Sequence, residues 1–280
     1  MHSQLHLFRS LTLALTGLLA SSAPSWSEEE FTYFCETCPT AWGEIAAACG
    51  EGTAQSPIAF SPGDAKRRTL RPLRIRFEET DLELRTLDTN FEAEVEGGGF
   101  KLGKKRFELL QFHFHNPSEH MVGGERTPLE AHFVHLGEDG SLAVLAVFIV
   151  PGRPNREIDR LIDELDELEM PGDTAEVREF DPSELLPRSR RTFRYKGSTT
   201  TPPCVADVRW NAFSEPITFA EDQIEAIAAK IRDFNEGFGN NRVIQERNGR
   251  TIKTDLRVSH HRDREDDEDW NHRRYGRDDD

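Results

Sequence analysis

Three histidines of this 280-residue chain have the residue type and the spacing of a metal site. His113 and His115 are separated by a single residue, and His132 follows in a second run of similar character. Each run alternates apolar and polar residues, which is typical of a β-strand whose successive side chains point to opposite faces. Three neutral imidazoles with one coordination position left open are the ligand set of a catalytic zinc site.

The same pattern predicts the elements that position these histidines. Residues 107–115 and 129–135 are predicted to be strands, and the segment 116–128 has the prolines and glycines that suit the connection of an antiparallel pair. In such a pair the three rings can converge on one point. A single inward histidine is more often a hydrogen-bonded core residue, and His120 and His135 are candidates for that role.

Two polar residues could hold ligand rings from behind. Gln111 lies on the face of His113, and Glu130 lies on the face of His132, each two residues earlier in its strand. An oxygen that accepts the second ring N–H fixes the tautomer and the orientation of a histidine ligand. The spacing and these partners together favour a metal site over a purely structural interpretation.

The rest of the chain is predicted to be mostly strands. The continuous apolar run 142–150 fits a strand buried on both faces, whereas 157–170 and 220–234 have helical spacing. With 36% apolar residues, the chain is long enough for one domain with a sizeable core. The fold class is therefore mostly β (α+β). Further short strands are predicted at 75–77, 92–95 and 100–102.

The two ends of the chain differ in composition from the middle. Arg9 precedes the apolar stretch 11–20, which has the length of a signal-peptide core and falls short of the ~20 residues that span a bilayer. We expect residues 1–27 to be a signal peptide, 28–257 the domain, and 258–280 a charged, disordered tail. The mature protein would be periplasmic or secreted, without stable membrane insertion; an uncleaved anchor is the alternative. The formal net charge of −16 argues against nucleic-acid binding.

Six separated segments of the chain resemble the α-class carbonic anhydrases, in the order in which the family has them. The similarity runs from about residue 31 to about residue 252. It implies a single domain built on a large twisted, mainly antiparallel central sheet with a few peripheral helices, as in the exported bacterial members. The segments are Gln55–Ile58, Gln111–His120, Glu130–His135, Gly197–Pro203, Val208–Trp210 and Asn240–Arg250.

The resemblance implies an enzyme, a lyase that hydrates carbon dioxide reversibly to bicarbonate and a proton. Zn²⁺ would be held by His113, His115 and His132, and zinc-bound hydroxide would be the nucleophile. The charge of the ion would let bound water lose its proton near pH ~7 instead of ~15.7, values established for carbonic anhydrase itself. The partners implied are carbon dioxide and bicarbonate, and a homodimer is left open.

Further site residues are implied by their match to the family. Thr200 would accept the proton of the hydroxide while donating its own to Glu119, because a carboxylate only accepts hydrogen bonds. Thr201 would contact bicarbonate, Tyr33 would order water, and the backbone carbonyl of Asn240 would hold a ligand ring.

The substrate pocket implied by the resemblance has apolar walls, since carbon dioxide carries no charge. Val134, Val144 and Trp210 match these walls. Thr199 stands where the family commonly has leucine, which makes one wall smaller and more polar.

The four cysteines form two pairs, of which one matches the family and the other does not. The resemblance pairs Cys49 with Cys204, and export would permit such a disulfide. Closing so long a loop would stabilise the fold by about 4–5 kcal/mol in the chain-entropy model. Cys35 and Cys38 form a Cys-x-x-Cys pair that the family normally lacks; because no βαβ pattern follows, a local disulfide or two free thiols is favoured over a redox motif.

Proton export is the main departure from the family. Many fast members have a histidine in a segment like Asn-Gly-His. Counted backward from Gln111, that position falls on Phe91, which cannot titrate. We therefore expect hydration without the usual histidine shuttle, with a turnover that is slower than in the fastest relatives and unusually dependent on buffer.

Three other functions are left open, one of which is zinc storage through the histidines of the charged tail. A catalytically weak, carbonic-anhydrase-like binding module could use the same fold, although such members typically lack a ligand histidine that this chain has. A zinc hydrolase acting on esters could use the same site.

Overall fold

The structure, a computed structural model, describes residues 31–34 and 38–256. The expected signal peptide, the charged tail and Cys35 lie outside the described residues. The described α-helices are α1 (Trp42–Ile45), α2 (Ala47–Glu51), α3 (Arg156–Ile162) and α4 (Glu221–Phe234). The described strands are β1 (Ala59–Phe60), β2 (Lys66–Arg67), β3 (Leu73–Arg76), β4 (Thr80–Thr86), β5 (Phe91–Val95), β6 (Gly99–Leu102), β7 (Lys105–His115), β8 (Met121–Val122), β9 (Leu129–Gly137), β10 (Leu142–Pro151), β11 (Thr174–Phe180), β12 (Thr192–Ser198), β13 (Ala206–Phe213), β14 (Ile217–Phe219) and β15 (Lys253–Thr254).

One large sheet contains most of these strands. Its order is β11-β4-β5-β7-β9-β10-β13-β12-β15-β2, with β14 beside β10 and with β6 between β3 and β7. Most neighbours are antiparallel, whereas β10 runs parallel to β13 and β14, and β15 runs parallel to β2. The prediction of a mostly-β domain on a large, mainly antiparallel sheet is confirmed. The central strands β7, β9 and β10 carry or flank the three histidines.

A β-bulge in β7 sets which side chains face the core. The pairing of β7 with β9 shifts at Leu110, which is the extra residue and is exposed. Before the bulge the core-facing residues are Phe107 and Leu109; after it they are Phe112 and Phe114. The bulge thus moves the alternation by one residue and leaves both histidines of β7 on the face away from this core.

Two apolar cores lie on the two faces of the sheet. The larger contains Phe112 and Phe114 of β7 together with apolar residues of α3 and α4. The smaller contains Val144 and Trp210, and the Trp210 ring lies 4.9 Å from that of His132. The candidate ligands therefore lie on the sheet face opposite to α3 and α4.

The helix predicted at 157–170 is shorter in the structure. Asn155 caps α3 by accepting hydrogen bonds from the backbone of Glu157 and Ile158, and the helix ends at Ile162. Acidic residues then crowd the sequence 163–167, where they would face the negative end of a longer helix dipole. The helix predicted at 220–234 is confirmed by α4. In the described part of the chain, no helix is long and apolar enough to cross a membrane.

His135 is a buried, hydrogen-bonded histidine of the larger core, which is one of the two roles that the sequence leaves open for it. Its Nδ1 donates to the Phe133 carbonyl at 2.8 Å, and its ring stacks near Phe77 and meets the edge of Phe100. Burial lowers the pKa of His135 from 6.5 to about 3. The ring is therefore neutral in the folded protein at all mildly acidic pH values.

Replacing His135 with leucine is expected to make the protein less sensitive to acid. Between pH 6.5 and 3 the unfolded chain binds a proton at His135 that the folded chain does not, so stability falls as pH falls. The free energy of unfolding falls by about 1.4 kcal/mol per pH unit, which amounts to roughly 2 kcal/mol between pH 6.5 and 5. Urea unfolding at pH 7 and at pH 5 measures this, and a difference between variant and wild type that stays constant with pH would contradict it.

Candidate metal centre

Strands β7 and β9 bring the three candidate ligands together. In their antiparallel register His113 lies opposite His132, and His115 lies opposite Glu130. The ring centroids of the three histidines are 4.5–5.4 Å apart. One nitrogen from each ring lies within 4.8 Å of the others, a spacing that a single ion can bridge.

Each of the three rings has one nitrogen bonded to an oxygen. A backbone carbonyl or a carboxylate can only accept, so the ring nitrogen facing it carries the hydrogen and the opposite nitrogen has a free lone pair. The pairs, each 2.8 Å apart, are His113 Nδ1 with Gln111 Oε1, His115 Nδ1 with the Asn240 carbonyl, and His132 Nε2 with Glu130 Oε1.

The electrostatics of the site favour neutral rings. Burial lowers the pKa of His113 well below 6.5, and the neighbouring His115 and His132 lower it further. Burial also lowers the pKa of His115. Neutral imidazole is the form that binds a metal ion.

Two buried acceptor atoms at the centre fit a cation. His115 Nε2 and Glu119 Oε2 are 3.6 Å apart, and neither has a hydrogen-bond partner among the described residues. The same carboxylate oxygen lies 3.8 Å from Nδ1 of His132. A buried acceptor without a partner lowers the stability of the fold. The ring nitrogen is therefore suited to a bound cation, and the carboxylate oxygen to a hydroxyl group that donates to it.

A second buried network supports His132 from behind. Glu130 is fully buried and accepts from His132 and from both the ring and the backbone of His120. Burial alone would raise the pKa of Glu130, but the two histidines hold it well below its usual range. His120 Nε2 pairs at 2.6 Å with the hydroxyl of Tyr195, a contact between residues 75 positions apart that no local sequence pattern predicts.

The loop after β12 places the predicted threonines. The Thr199 hydroxyl donates to the Thr201 carbonyl and accepts from the backbone of Val205, so it holds the loop together. Thr199, Thr200 and Thr201 line the central cavity. Of the three, Thr200 is buried. The structure brings Thr200 to the site but forms no hydrogen bond from it to Glu119, whose Oε1 instead accepts from the backbone N–H of Arg242 at 2.9 Å.

A disulfide joins Cys49 to Cys204, which follows this loop. Arg242 reinforces the junction: its guanidinium donates to the carbonyls of Cys49 and Ser56 and to Gln55 Oε1. The same residue that holds Glu119 through its backbone therefore anchors the disulfide region through its side chain. Sequence reasoning missed Arg242 because its contacts are more than 100 residues away along the chain.

A cavity of about 1120 Å³ opens onto the three rings. Val134, Val144 and Trp210 line it, and Tyr33 lines it beside Phe31. The lining also contains seven acidic residues. Its carboxylates are Asp81, Glu83, Asp88, Glu92, Glu94, Glu96 and Glu176.

The assignment of Phe91 to the proton-shuttle position of the family does not fit its place in the structure. Its side chain is 1% exposed and packs in the larger core near Phe114, because residues 91, 93 and 95 of β5 alternate toward that core. Glu92 and Glu94 face the cavity instead, and Thr89 lines it two residues earlier. Phe91 is therefore not at a position from which any side chain could relay a proton.

Comparison with known proteins agrees with this geometry. The sequence model of the eukaryotic-type carbonic anhydrase family matches residues 37–256. A carbonic anhydrase of Pectobacterium carotovorum is 30% identical, over 86% of this chain and 98% of that protein.

Solved structures give the same result. The α-carbonic anhydrase of Thermovibrio ammonificans, in complex with the inhibitor sulfanilamide, is 35% identical with a TM-score of 0.75, covering 80% of this chain and 98% of that one. Dioscorin complexed with ascorbate is 27% identical with a TM-score of 0.75, covering 82% of this chain and all of the other (100%). The match spans well over half of the chain, so this protein belongs to the α-class carbonic anhydrase family.

Proposed function

We propose that this protein is a zinc-dependent carbonic anhydrase that hydrates carbon dioxide reversibly to bicarbonate and a proton, with His113, His115 and His132 as the zinc ligands. One observation carries the proposal: each of the three histidine rings has one nitrogen bonded to an oxygen, and nitrogens of the three rings lie within 4.8 Å of one another. Zinc held by three neutral imidazoles supplies Lewis acidity that, as established for carbonic anhydrases, makes bound water acidic near neutral pH.

Thr200 and Glu119 orient the reacting water. The buried Oε2 of Glu119 needs a donor, and the hydroxyl of Thr200 is the group we assign to it. Once Thr200 donates to Glu119, its oxygen can only accept from the cavity side. The reacting water must then direct its hydrogen to Thr200 and a lone pair toward carbon dioxide.

The cavity walls divide the remaining tasks. Val134, Val144 and Trp210 offer carbon dioxide an apolar surface next to the rings. Thr201 contacts the bicarbonate formed there. Thr199 replaces a larger apolar residue of the family, but its hydroxyl is bonded within the loop, so the polarity it adds to the wall is small.

Turnover is expected to rise with added buffer. The histidines that line the described cavity are the three ligands themselves, so proton export has no further imidazole there. The hydration rate at saturating carbon dioxide, measured against imidazole concentration by stopped flow, should increase and then level off. A turnover that is fast and indifferent to imidazole would show that another group relays the proton.

Export is part of the proposal. The sequence of residues 1–27 has the features of a signal peptide, and the Cys49–Cys204 disulfide suits an oxidising compartment. We therefore place the mature protein in the periplasm or outside the cell, with the domain over residues 28–257.

A binding module is the second candidate, and the similarity to dioscorin complexed with ascorbate favours it. Metal analysis of the chain lacking residues 1–27, combined with stopped-flow hydration of carbon dioxide, separates the two. One zinc per chain with hydration abolished by a chelator supports the enzyme. No zinc and no hydration supports the binding module, and a larger specificity constant for an aryl ester than for carbon dioxide supports a hydrolase.

A further inference from the structure

The three rings differ in the chemistry of the oxygen that holds them. His115 is held by a backbone carbonyl and His132 by a carboxylate, and both of these groups can only accept. His113 alone is held by an amide, that of Gln111. An amide has an accepting end and a donating end of nearly the same shape, so it does not by itself fix the tautomer of the ring.

Glu92 removes this ambiguity. Its Oε2 accepts from Nε2 of Gln111 at 2.6 Å, and β5 places Glu92 directly opposite His113 in the sheet. A carboxylate offers no hydrogen, so the NH₂ end of Gln111 must point toward Glu92 and the carbonyl end toward His113. The His113 Nδ1 must then carry the hydrogen, and its Nε2 is free as a ligand.

Without that carboxylate the amide could turn over. Gln111 would then present its NH₂ group to Nδ1 of His113 and favour the tautomer with hydrogen on Nε2. A ring in that tautomer must move its hydrogen from Nε2 to Nδ1 before Nε2 can bind the ion. The two orientations compete only at this ligand, because the other two acceptors have no donating end.

We propose that Glu92 is a positioning residue of the metal centre, which acts through Gln111 to fix His113 in its metal-binding tautomer. This inference rests on the proposed zinc site. It assigns a role to a carboxylate that sequence reasoning passed over, although the alternation in β5 places Glu92 on the same face as the site.

Zinc release from the full chain tests the proposal. Removal of an outer partner of a ligand typically costs 10–100-fold in metal affinity, and we expect Glu92→Leu to speed the transfer of zinc to a chelator about 10-fold. Glu92→Gln keeps the size of the side chain and one accepting oxygen, so its zinc release should be faster than in the wild type but slower than in Glu92→Leu. Glu94→Leu is the matched control, because Glu94 is on the same face of β5 but pairs with Arg85 at 3.2 Å; it should release zinc like the wild type.

A double-mutant cycle shows whether Glu92 acts through Gln111. Glu92→Leu should change zinc release little when Gln111→Leu is already present, whereas additive effects would overturn the proposal. Unchanged zinc release in Glu92→Leu would also overturn it.

Nitrogen NMR of the imidazole rings gives a readout that does not depend on activity. In the metal-free protein, hydrogen on Nε2 of His113 should become more populated in Glu92→Leu and in Glu92→Gln than in the wild type. An unchanged tautomer in the well-folded Glu92→Gln variant would overturn the inference. Failure of the wild type to bind zinc would instead overturn the proposed function, so the two failures are distinguishable.

Discussion

Replacing His132 with alanine is expected to abolish carbon dioxide hydration and to weaken zinc binding at least a hundredfold. A zinc site of four ligands is worth about 10–16 kcal/mol, so one ligand contributes roughly 3 kcal/mol, which corresponds to about a hundredfold in dissociation constant. The change also removes one of the hydrogen-bond donors of the buried Glu130. Zinc content after dialysis and stopped-flow hydration measure the two effects.

His135→Leu is the matched control for this experiment. His135 lies three residues further along the same strand, but its ring is in the larger core and does not take part in the candidate site. The control should keep zinc and turnover at pH 7. If His132→Ala retained one tightly bound zinc and normal turnover, the ligand assignment would be wrong.

The positions of the three candidate ligand rings could be read from the sequence because they depend on local geometry. Period-two alternation determines the face of His113, His115 and His132, and the shared face also places Gln111 and Glu130 behind them. The structure shows each of these neighbours in place. Short-range pattern is sufficient wherever a strand is regular and its partner strand is close in sequence.

The position of Phe91 depends on how its strand pairs in the sheet, and counting residues along the chain does not predict it. Counting back from Gln111 assigns Phe91 to the proton-shuttle position, whereas Glu92 pairs with His113 in the sheet and the side chain of Phe91 therefore faces the core. The signal was available, since Phe91, Ala93 and Val95 are the apolar members of an alternating run. Applying alternation to that strand would have given the right face.

Contacts between distant segments could not be predicted from the sequence. The backbone of Arg242 holds Glu119, and the bulge at Leu110 shifts the alternation within β7. Neither follows from local pattern, because each depends on which segment lies next to which. The two adjacent leucines at 109 and 110, which interrupt the alternation, are the one local hint of the bulge.

Thr200→Val is expected to lower turnover about a hundredfold and to leave zinc bound. Valine keeps the branched shape of threonine but removes the hydroxyl, and losing one such orienting group typically costs about 10²–10³ in rate. Zinc is retained because the three ring nitrogens and their oxygen partners are untouched. Thr200→Ser keeps the hydroxyl and should recover most of the rate, while metal analysis of all three proteins checks the site.

Glu119→Gln tests the direction of the same hydrogen bond. The backbone N–H of Arg242 donates to Glu119 Oε1, so in the variant the amide oxygen must occupy that place and the NH₂ group must face Thr200. Thr200 would then accept from the amide and present its hydrogen to the cavity, which reverses the orientation of the reacting water. The rate should fall as far as in Thr200→Val, and the double variant should fall little further, because the two residues act as a unit. Normal turnover in Glu119→Gln with zinc still bound would mean that the Thr200 hydroxyl takes its direction from some other acceptor.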